Sequence, residues 1–399
     1  SGPDRAGGGG RGGVDPRIDE KKASFACQRK QGAKKVANEA LASKLEELAG
    51  VYEAMGGSGS QWRSMGFKKA ATVLRGLGVE AISVDQLRRV VQERKIKGFG
   101  KKVMAEIEGF LEMGVVGRLL GLKQQPDVVA ITELSQVWGV GPTTARKLVQ
   151  QGFRGVEDLR QRGQHLLNCK QRVGLDRYED LLERMPRAEA ADIEATVMRA
   201  ARDLEPGIRG GACGSYRRGK ASCGDVDVLL CPPEGKGDCS VMHALLERLR
   251  AGGFLTDHLL MPGPHAHGHS DTYMGVCRLP GPGRLHRRLD IKIYPSSQYA
   301  YALLYFTGSA HFNRSMRLYA KKKGFTLSDR ELAPVDRQGG QKVFKYSGVR
   351  CYTEADIFTA LGLEYRSPTE RNVDDVATSE GGGPQAGPGG SGRGAGGSS

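Results

Sequence analysis

At 399 residues, 39% of them hydrophobic and 26% charged, the chain has room for two to four compact units and a sizeable core. Its 60 basic residues outnumber 45 acidic ones, and the formal charge of +15 points to a polyanionic partner. There is no apolar run of about 18 residues, no signal peptide and no basic amphipathic anchor, so nucleic acid is favoured over a membrane surface. The eight cysteines form no C-x-x-C pair, which reads as free thiols in a reducing compartment and argues against structural zinc.

Residues 1–24 and 372–399 are Gly-rich tails that cannot bury enough apolar surface to order themselves. From Ala26 to about Leu120 the apolar residues recur at helical spacing, as in Ala40, Leu41, Leu45 and Leu48, and again in Ala70, Val73, Leu74 and Leu77. Within this block, KGFGKKVMAEIEGFL (97–111) places Gly98 and Gly100 before a helix that opens with Lys101 and Lys102. A second helical block, Ile131 to Arg202, contains a counterpart, LSQVWGVGPTTARKLVQQGF (134–153), with Gly139 and Gly141 in the same places. Each copy reads as a helix-hairpin-helix, in which glycines let backbone N–H groups at a helix start approach a phosphate. One such turn is a common packing corner; two in a chain of this charge favour a grip on the DNA backbone.

Near Ala212 the texture changes to short alternating runs, DVDVLL, MGVCRL and LDIKIY, with one amphipathic helix from Val241 to Arg250. That combination predicts a small sheet backed by helices, followed by a mixed region from Ser296 to Tyr365. In ACGSYRRGKASCGDVDVLL (212–230), Asp225 and Asp227 fall on one face of a predicted strand and Val226 and Val228 on the other. Two adjacent carboxylates repel unless a divalent cation sits between them, and hard oxygen ligands suit Mg²⁺. Gly214 and Ser215 form a turn able to hold a phosphate, and Arg218 adds charge. A third carboxylate, Asp290, shares a strand face with Lys292 opposite Leu289, Ile291 and Ile293. Three such aspartates suit two metal ions, one activating a 3′-hydroxyl and one clamping a leaving pyrophosphate. A lone D-x-D is more often a solvated edge strand; the Gly-Ser turn, the basic pair before Asp290 and the two hairpins favour chemistry.

The stretches ACGSYRRGKASCGDVDVLL, GVCRLPGPGRLHRRLDI and ALLYFTGSAHFNRSMRLYAKKKG resemble family X DNA polymerases, most of all the lambda type, over residues 36–371. The resemblance implies a multidomain α+β chain: a helical lyase-like domain with a helix-hairpin-helix (25–112), fingers with a second hairpin (113–203), a nucleotidyltransferase-type palm (204–295) and a thumb (296–371). It implies filling of short gaps in DNA repair or end joining, with deoxynucleoside triphosphates as substrate and two Mg²⁺ ions, or Mn²⁺, as cofactor. The expected partners are gapped or broken double-stranded DNA and repair proteins, with a monomeric chain acting in the nucleus or an organelle. Lambda-type members often carry an N-terminal BRCT module, and none is recognisable here.

By position, Asp225, Asp227 and Asp290 match the metal-binding carboxylates. Arg184, Ser215, Arg218 and Gly224 match positions that hold the triphosphate; Tyr305, Phe306, Gly308, Ala310 and Asn313 match the sugar and base pocket. Tyr305 and Phe306 also read as core residues of a buried helix. Arg288 and Arg317 are expected on DNA, and the run Arg314, Arg317, Lys321, Lys322 and Lys323 reads either as a solvated face or as a DNA contact. Thr307-Gly308-Ser309 and the short connection MPGPHAHGHSDTY favour templated synthesis over terminal transfer. His265, His267 and His269 in that connection read as a polar loop rather than a metal site. An inactive DNA-end-binding scaffold is the reading from another class.

In lyase-active members a lysine six residues after the second glycine of the first hairpin forms a Schiff base with a 5′-deoxyribose phosphate. Glu106 stands there, and a carboxylate cannot form that bond. Between Arg88 and Lys102 seven basic residues face one acid, Glu93. With Lys102 matching a 5′-phosphate position, Arg63 and Lys69 near it in sequence and Trp62 placed to stack, the segment reads as a phosphate grip, with Lys101 or Lys102 as substitute nucleophile in the other reading.

Overall fold

A computed structural model describes residues 25–28, 38–77, 81, 83–93, 96, 98–233, 238–263, 271–338, 341–344 and 348–372. The Gly-rich tails, apart from Asn372, and the three histidines at 265, 267 and 269 lie outside them. Helix α1 (Glu39–Met55) packs on α2 (Ser58–Gly76) through Leu41, Leu45 and Leu48 on one side and Ala70, Ala71 and Leu74 on the other, all almost fully buried. Tyr52 stacks on Phe67 across this pair, 5.9 Å between ring centroids. The Asn38 side chain closes the corner, donating to the Leu74 carbonyl at 3.0 Å and accepting from the Ala81 N–H at 2.6 Å.

Helices α3 (Val84–Glu93), α4 (Lys101–Met113) and α5 (Gly117–Lys123) complete the first core, which also takes Val128 from α6 (Pro126–Leu134). The boundary expected at 112/113 is therefore corrected: Val116, Leu119 and Leu122 are buried in the N-terminal core. The second core gathers Ile131 and Leu134 of α6 with α7 (Pro142–Gln150), α8 (Val156–Arg162) and α9 (Cys169–Asp176), and the short α10 (Tyr178–Leu182) follows.

After β1 (Met185–Pro186), α11 (Arg187–Leu204) leads into β2 (Arg209–Ala212), α12 (Gly214–Arg217), β3 (Ser222–Cys223) and β4 (Val226–Cys231). Then come α13 (Asp238–Ala251), β5 (Leu255–Leu260), β6 (Asp271–Cys277) and β7 (Arg287–Ile293). The five-stranded sheet has the order β2-β4-β7-β6-β5, with β4 and β7 parallel and the other pairs antiparallel. Val226, Val228, Leu289, Ile291 and Ile293 point to the face covered by α11 and α13, as the alternation predicts. The boundary expected at 203/204 cuts through this core: Ala190, Ile193, Val197 and Ala201 of α11 pack with the sheet, so the unit starts near Met185.

Two more helices, α14 (Ser296–Thr307) and α15 (Ala310–Lys322), precede a three-stranded sheet of β8 (Phe325–Leu327), β9 (Leu332–Gln338) and β10 (Gln341–Phe344), and α16 (Glu354–Ala360) and a 3-10 turn (Pro368–Arg371) follow. Residues 25–28, expected with the N-terminal helices, pack here instead. The Cys27 N–H donates to Ser315 Oγ at 3.1 Å, and Phe25 meets Tyr319 edge-on at 5.4 Å. Among the described residues no helix is long and apolar enough to cross a membrane.

Arg371 is fully buried, its guanidinium within 5.5–5.8 Å of the ring centroids of Phe312, Phe358 and Tyr365. Its charge meets Glu354, which accepts from Arg371 Nη1 at 2.5 Å and from Arg217 Nη2 of the larger sheet's unit at 2.7 Å. Burial alone would raise the Glu354 carboxyl, but the bonds from Arg217 and Arg371 outweigh it and hold it below the ordinary glutamate range. The folded chain thus binds this proton more weakly than the unfolded one. The stabilisation is complete above the unfolded glutamate value and is lost as pH falls through the depressed folded value. Glu354→Gln leaves both guanidiniums without their counter-charge. It is expected to cost about 3–5 kcal/mol in denaturant unfolding at neutral pH and to flatten the acid side of the melting-temperature profile.

Candidate active site and nucleic-acid interface

The parallel register sets Asp227 of β4 directly beside Asp290 of β7, and Asp225 lies one residue before β4 at the same end of the sheet. Lys292, two residues along β7, points to the same face and lies 2.9 Å from Asp227 Oδ1 and 3.6 Å from Asp290 Oδ2. Arg288 approaches from the other side, 2.7 Å from Asp290 Oδ1. Burial would lower the proton affinity of Lys292, yet Asp227 and Asp290 outweigh it and keep the ammonium charged. Asp225 stands differently, with Arg288 and Lys292 too weakly coupled to it to balance its surroundings. Lost hydration and the like charges of Asp227 and Asp290 raise its carboxyl well above the usual range, even though part of the residue remains exposed.

Among the described residues no three His, Cys, Asp or Glu side chains are arranged as a metal cage. Two of the three carboxylates are drawn to cations instead. The donor set itself fits a hard divalent ion: three carboxylates at one sheet end, whose mutual repulsion a cation would relieve. Gly214 (φ 53°) allows the neighbouring turn to come close, since a Cβ there would lie 3.0 Å from Asp227 Oδ2. The Cys213 N–H fixes the turn by donating to the Asp227 carbonyl at 2.7 Å.

Around this centre the structure gathers most of the residues singled out in the sequence. Arg184 donates to Ser222 Oγ at 2.9 Å and to its carbonyl at 2.8 Å, beside Gly224. Ser215 sits in α12 next to the Asp227 turn. Arg218 is tied across the cleft, donating to the Thr307 carbonyl at 2.7 Å and to Asn372 Oδ1 at 2.9 Å. Gly308 (φ 73°) leaves it room: an added Cβ would fall 3.0 Å from Arg218 Nη1. Tyr305 and Phe306 are half-buried rings in contact, 5.1 Å apart, so neither is a plain core residue. Lys292 Nζ lies 4.7 Å from the Phe306 ring centroid, Asn313 Nδ2 donates to the Tyr305 carbonyl at 2.6 Å, and Ala310 is exposed at the start of α15. Arg317 and the neighbouring Arg314, Lys321, Lys322 and Lys323 form an exposed basic face. Arg288, expected on DNA, is turned inward and only 11% exposed.

The hairpins repeat in detail. Gly98 (φ 122°) and Gly139 (φ 84°) take backbone angles that favour glycine. Gly100 and Gly141 are extended N-caps with no side-chain cap, which leaves the first-turn N–H groups of α4 and α7 without side-chain acceptors. Lys69 lies against the first turn, since a Cβ at Gly98 would meet its side chain at 3.2 Å. Lys101 and Lys102 are exposed, Arg63 sits over the Tyr52 ring at 5.5 Å, and Trp62 is 72% exposed. Glu106 braces the next helix, where its Oε2 accepts the Arg118 N–H at 3.2 Å and so satisfies a donor in the first turn of α5.

Four family models match successive parts of the chain: a helix-hairpin-helix domain at 36–116, the fingers domain of DNA polymerase lambda at 132–182, the DNA polymerase beta palm at 184–296 and the DNA polymerase beta thumb at 302–372. The chain belongs to the family X DNA polymerases. DNA polymerase lambda of Rattus norvegicus is 44% identical over 335 residues, 83% of this chain and 56% of that protein. DNA polymerase lambda of Arabidopsis thaliana is 33% identical over 332 residues, 82% of this chain and 60% of that protein. This family X chain thus spans a little over half the length of the curated relatives it matches. The palm match starts at residue 184, which agrees with the packing of α11 on the sheet.

In the sequence Lys292 is only a strand neighbour of Asp290. Its role as counter-charge depends on β4 lying alongside, which no local pattern reveals. Lys292→Met is expected to lower stability at neutral pH by about 3 kcal/mol, because it leaves Asp227 and Asp290 facing one another. Millimolar Mg²⁺ should raise the melting temperature of the variant more than that of the unaltered protein.

Proposed function

We propose that this family X chain is a template-directed DNA polymerase that fills short gaps in nuclear DNA repair or end joining. The observation that carries the reading is the register of Asp227 beside Asp290, with Lys292 between them and its ammonium 4.7 Å from the Phe306 ring centroid. Asp225, Asp227 and Asp290 would hold two Mg²⁺ ions, or Mn²⁺, which when bound activate the primer 3′-hydroxyl and neutralise the triphosphate. Arg184, Ser215 and the Gly224 backbone receive the triphosphate, and Arg218 keeps the Thr307-Gly308 turn close to it. Tyr305 and Phe306 bear on the sugar and base, Asn313 reaches the minor-groove edge, and Arg317 lies on the template side. The two hairpins and the basic face of α15 bind the DNA backbone without reading sequence.

The N-terminal helices bind the downstream 5′-phosphate through Lys102, Arg63 and Lys69, with Trp62 stacking in the gap. They do not excise a sugar phosphate, because Glu106 cannot form a Schiff base and its carboxylate is committed to the Arg118 N–H.

Asp290→Ala should lower extension of a gapped primer on the order of a thousandfold or more while gapped-DNA affinity stays largely intact. Unchanged extension would place the chemistry elsewhere. Equal extension of a single-stranded primer would make the enzyme a terminal transferase. On gapped DNA bearing a 5′-deoxyribose phosphate, borohydride should trap no adduct with the unaltered protein, while Glu106→Lys serves as comparator. A strong adduct that disappears in Lys101→Ala or Lys102→Ala would name a nucleophile that has moved.

A further inference from the structure

The residue just before the glycines of the second hairpin is Trp138, and its ring does not stay in the fingers. It reaches the palm, where the Arg288 guanidinium lies over it, 4.6 Å from the ring centroid. The same guanidinium makes the 2.7 Å ion pair with Asp290, and the pair is close to fully buried at 11% and 9% exposure. Arg288 Nε is buried without a hydrogen-bond partner. This guanidinium is therefore held from two sides, by the carboxylate it serves and by the indole face it lies on. The ring is held on a stiff mount. A Cβ at Gly174 of α9 would lie 2.2 Å from the Trp138 carbonyl oxygen, so α9 presses on the backbone of the hairpin. Gln171, in the capping box that starts α9, donates to the Gly139 carbonyl at 2.9 Å.

We infer that Trp138 is a positioning residue for the polymerase reaction, setting Arg288 and through it the carboxylate of Asp290. One short loop then does two things. Its glycines and the start of α7 grip a DNA phosphate, and its indole holds the charge that orients a carboxylate of the reaction centre. A guanidinium stacked on an indole keeps its plane fixed while leaving its N–H groups for the carboxylate, which an apolar residue of similar bulk cannot do. This inference rests on the polymerase reading of the aspartate site.

The test is single-turnover extension across a one-nucleotide gap with Trp138→Ala, Trp138→Leu and Trp138→Phe, beside Asp290→Ala. Trp138→Leu is the decisive variant, since it fills most of the volume without a π face; its melting temperature should match that of the unaltered protein. The rate at saturating nucleotide should fall about tenfold in the Ala and Leu variants and much less in Phe, with gapped-DNA affinity and nucleotide KM little changed. In a double-mutant cycle, Trp138→Leu added to Arg288→Ala should cost nothing further. A Leu variant that extends at the unaltered rate, or losses that multiply in the double variant, would overturn the inference while the polymerase reading stands. Full activity of Asp290→Ala would instead remove the reading on which it rests.

Discussion

Everything at the centre of this molecule depends on one pairing, that of β4 with β7. By running parallel in a register that puts Asp227 beside Asp290, the two strands bring like charges together at the end of the sheet. Such an arrangement is costly in a buried site, and the fold answers it with charges of opposite sign on the same face. Lys292 lies between the two aspartates, Arg288 pins the second from outside, and Asp225 is left with an elevated proton affinity. The apolar half of the same strands, Val226, Val228, Leu289, Ile291 and Ile293, anchors the arrangement in the core under α11 and α13. The stability of the sheet and the repulsion at its end thus come from neighbouring residues on alternate faces of the same two strands.

Much of this is legible in the sequence alone. The period-two alternation shows which face Asp227 and Asp290 occupy, while Asp225, expected on the same strand, lies just before it, and the repeated Gly-x-Gly pattern locates both hairpins. The family and its succession of helical, fingers, palm and thumb parts follow from long matching stretches. Local patterns say nothing about which strand lies beside which, so the carboxylate pairing and the counter-charge role of Lys292 are out of their reach. For the same reason Arg288 reads as a DNA contact. A basic residue two positions before a strand aspartate looks the same in sequence whether it faces a phosphate or turns inward. The expected unit boundaries fail where helical periodicity continues across a change of partner: α5 and α11 look like their neighbours but bury their apolar faces in different cores.

Glu106, which stands where the resemblance implies a lysine, takes part in the architecture. The side chain bonds to the backbone at the start of α5, a donor that would otherwise need water or a capping residue. Its neighbours on α4, Lys101 and Lys102, stay exposed, where they can face a phosphate. The start of the helix is thus basic and exposed, while its next turn holds the following helix.

The burial of Arg371 reaches beyond stability. Three aromatic rings and a carboxylate, contributed by segments between Phe312 and Tyr365, converge on Arg371, which follows all of them in the chain. During synthesis those segments emerge first; the rings can meet one another and Glu354 can meet Arg217, but the space between them stays unfilled until residue 371 has left the ribosome. The larger sheet faces no such delay, because its strands and covering helices are complete by Ile293. The C-terminal unit therefore finishes folding late, against a palm already in place to receive it through Arg217.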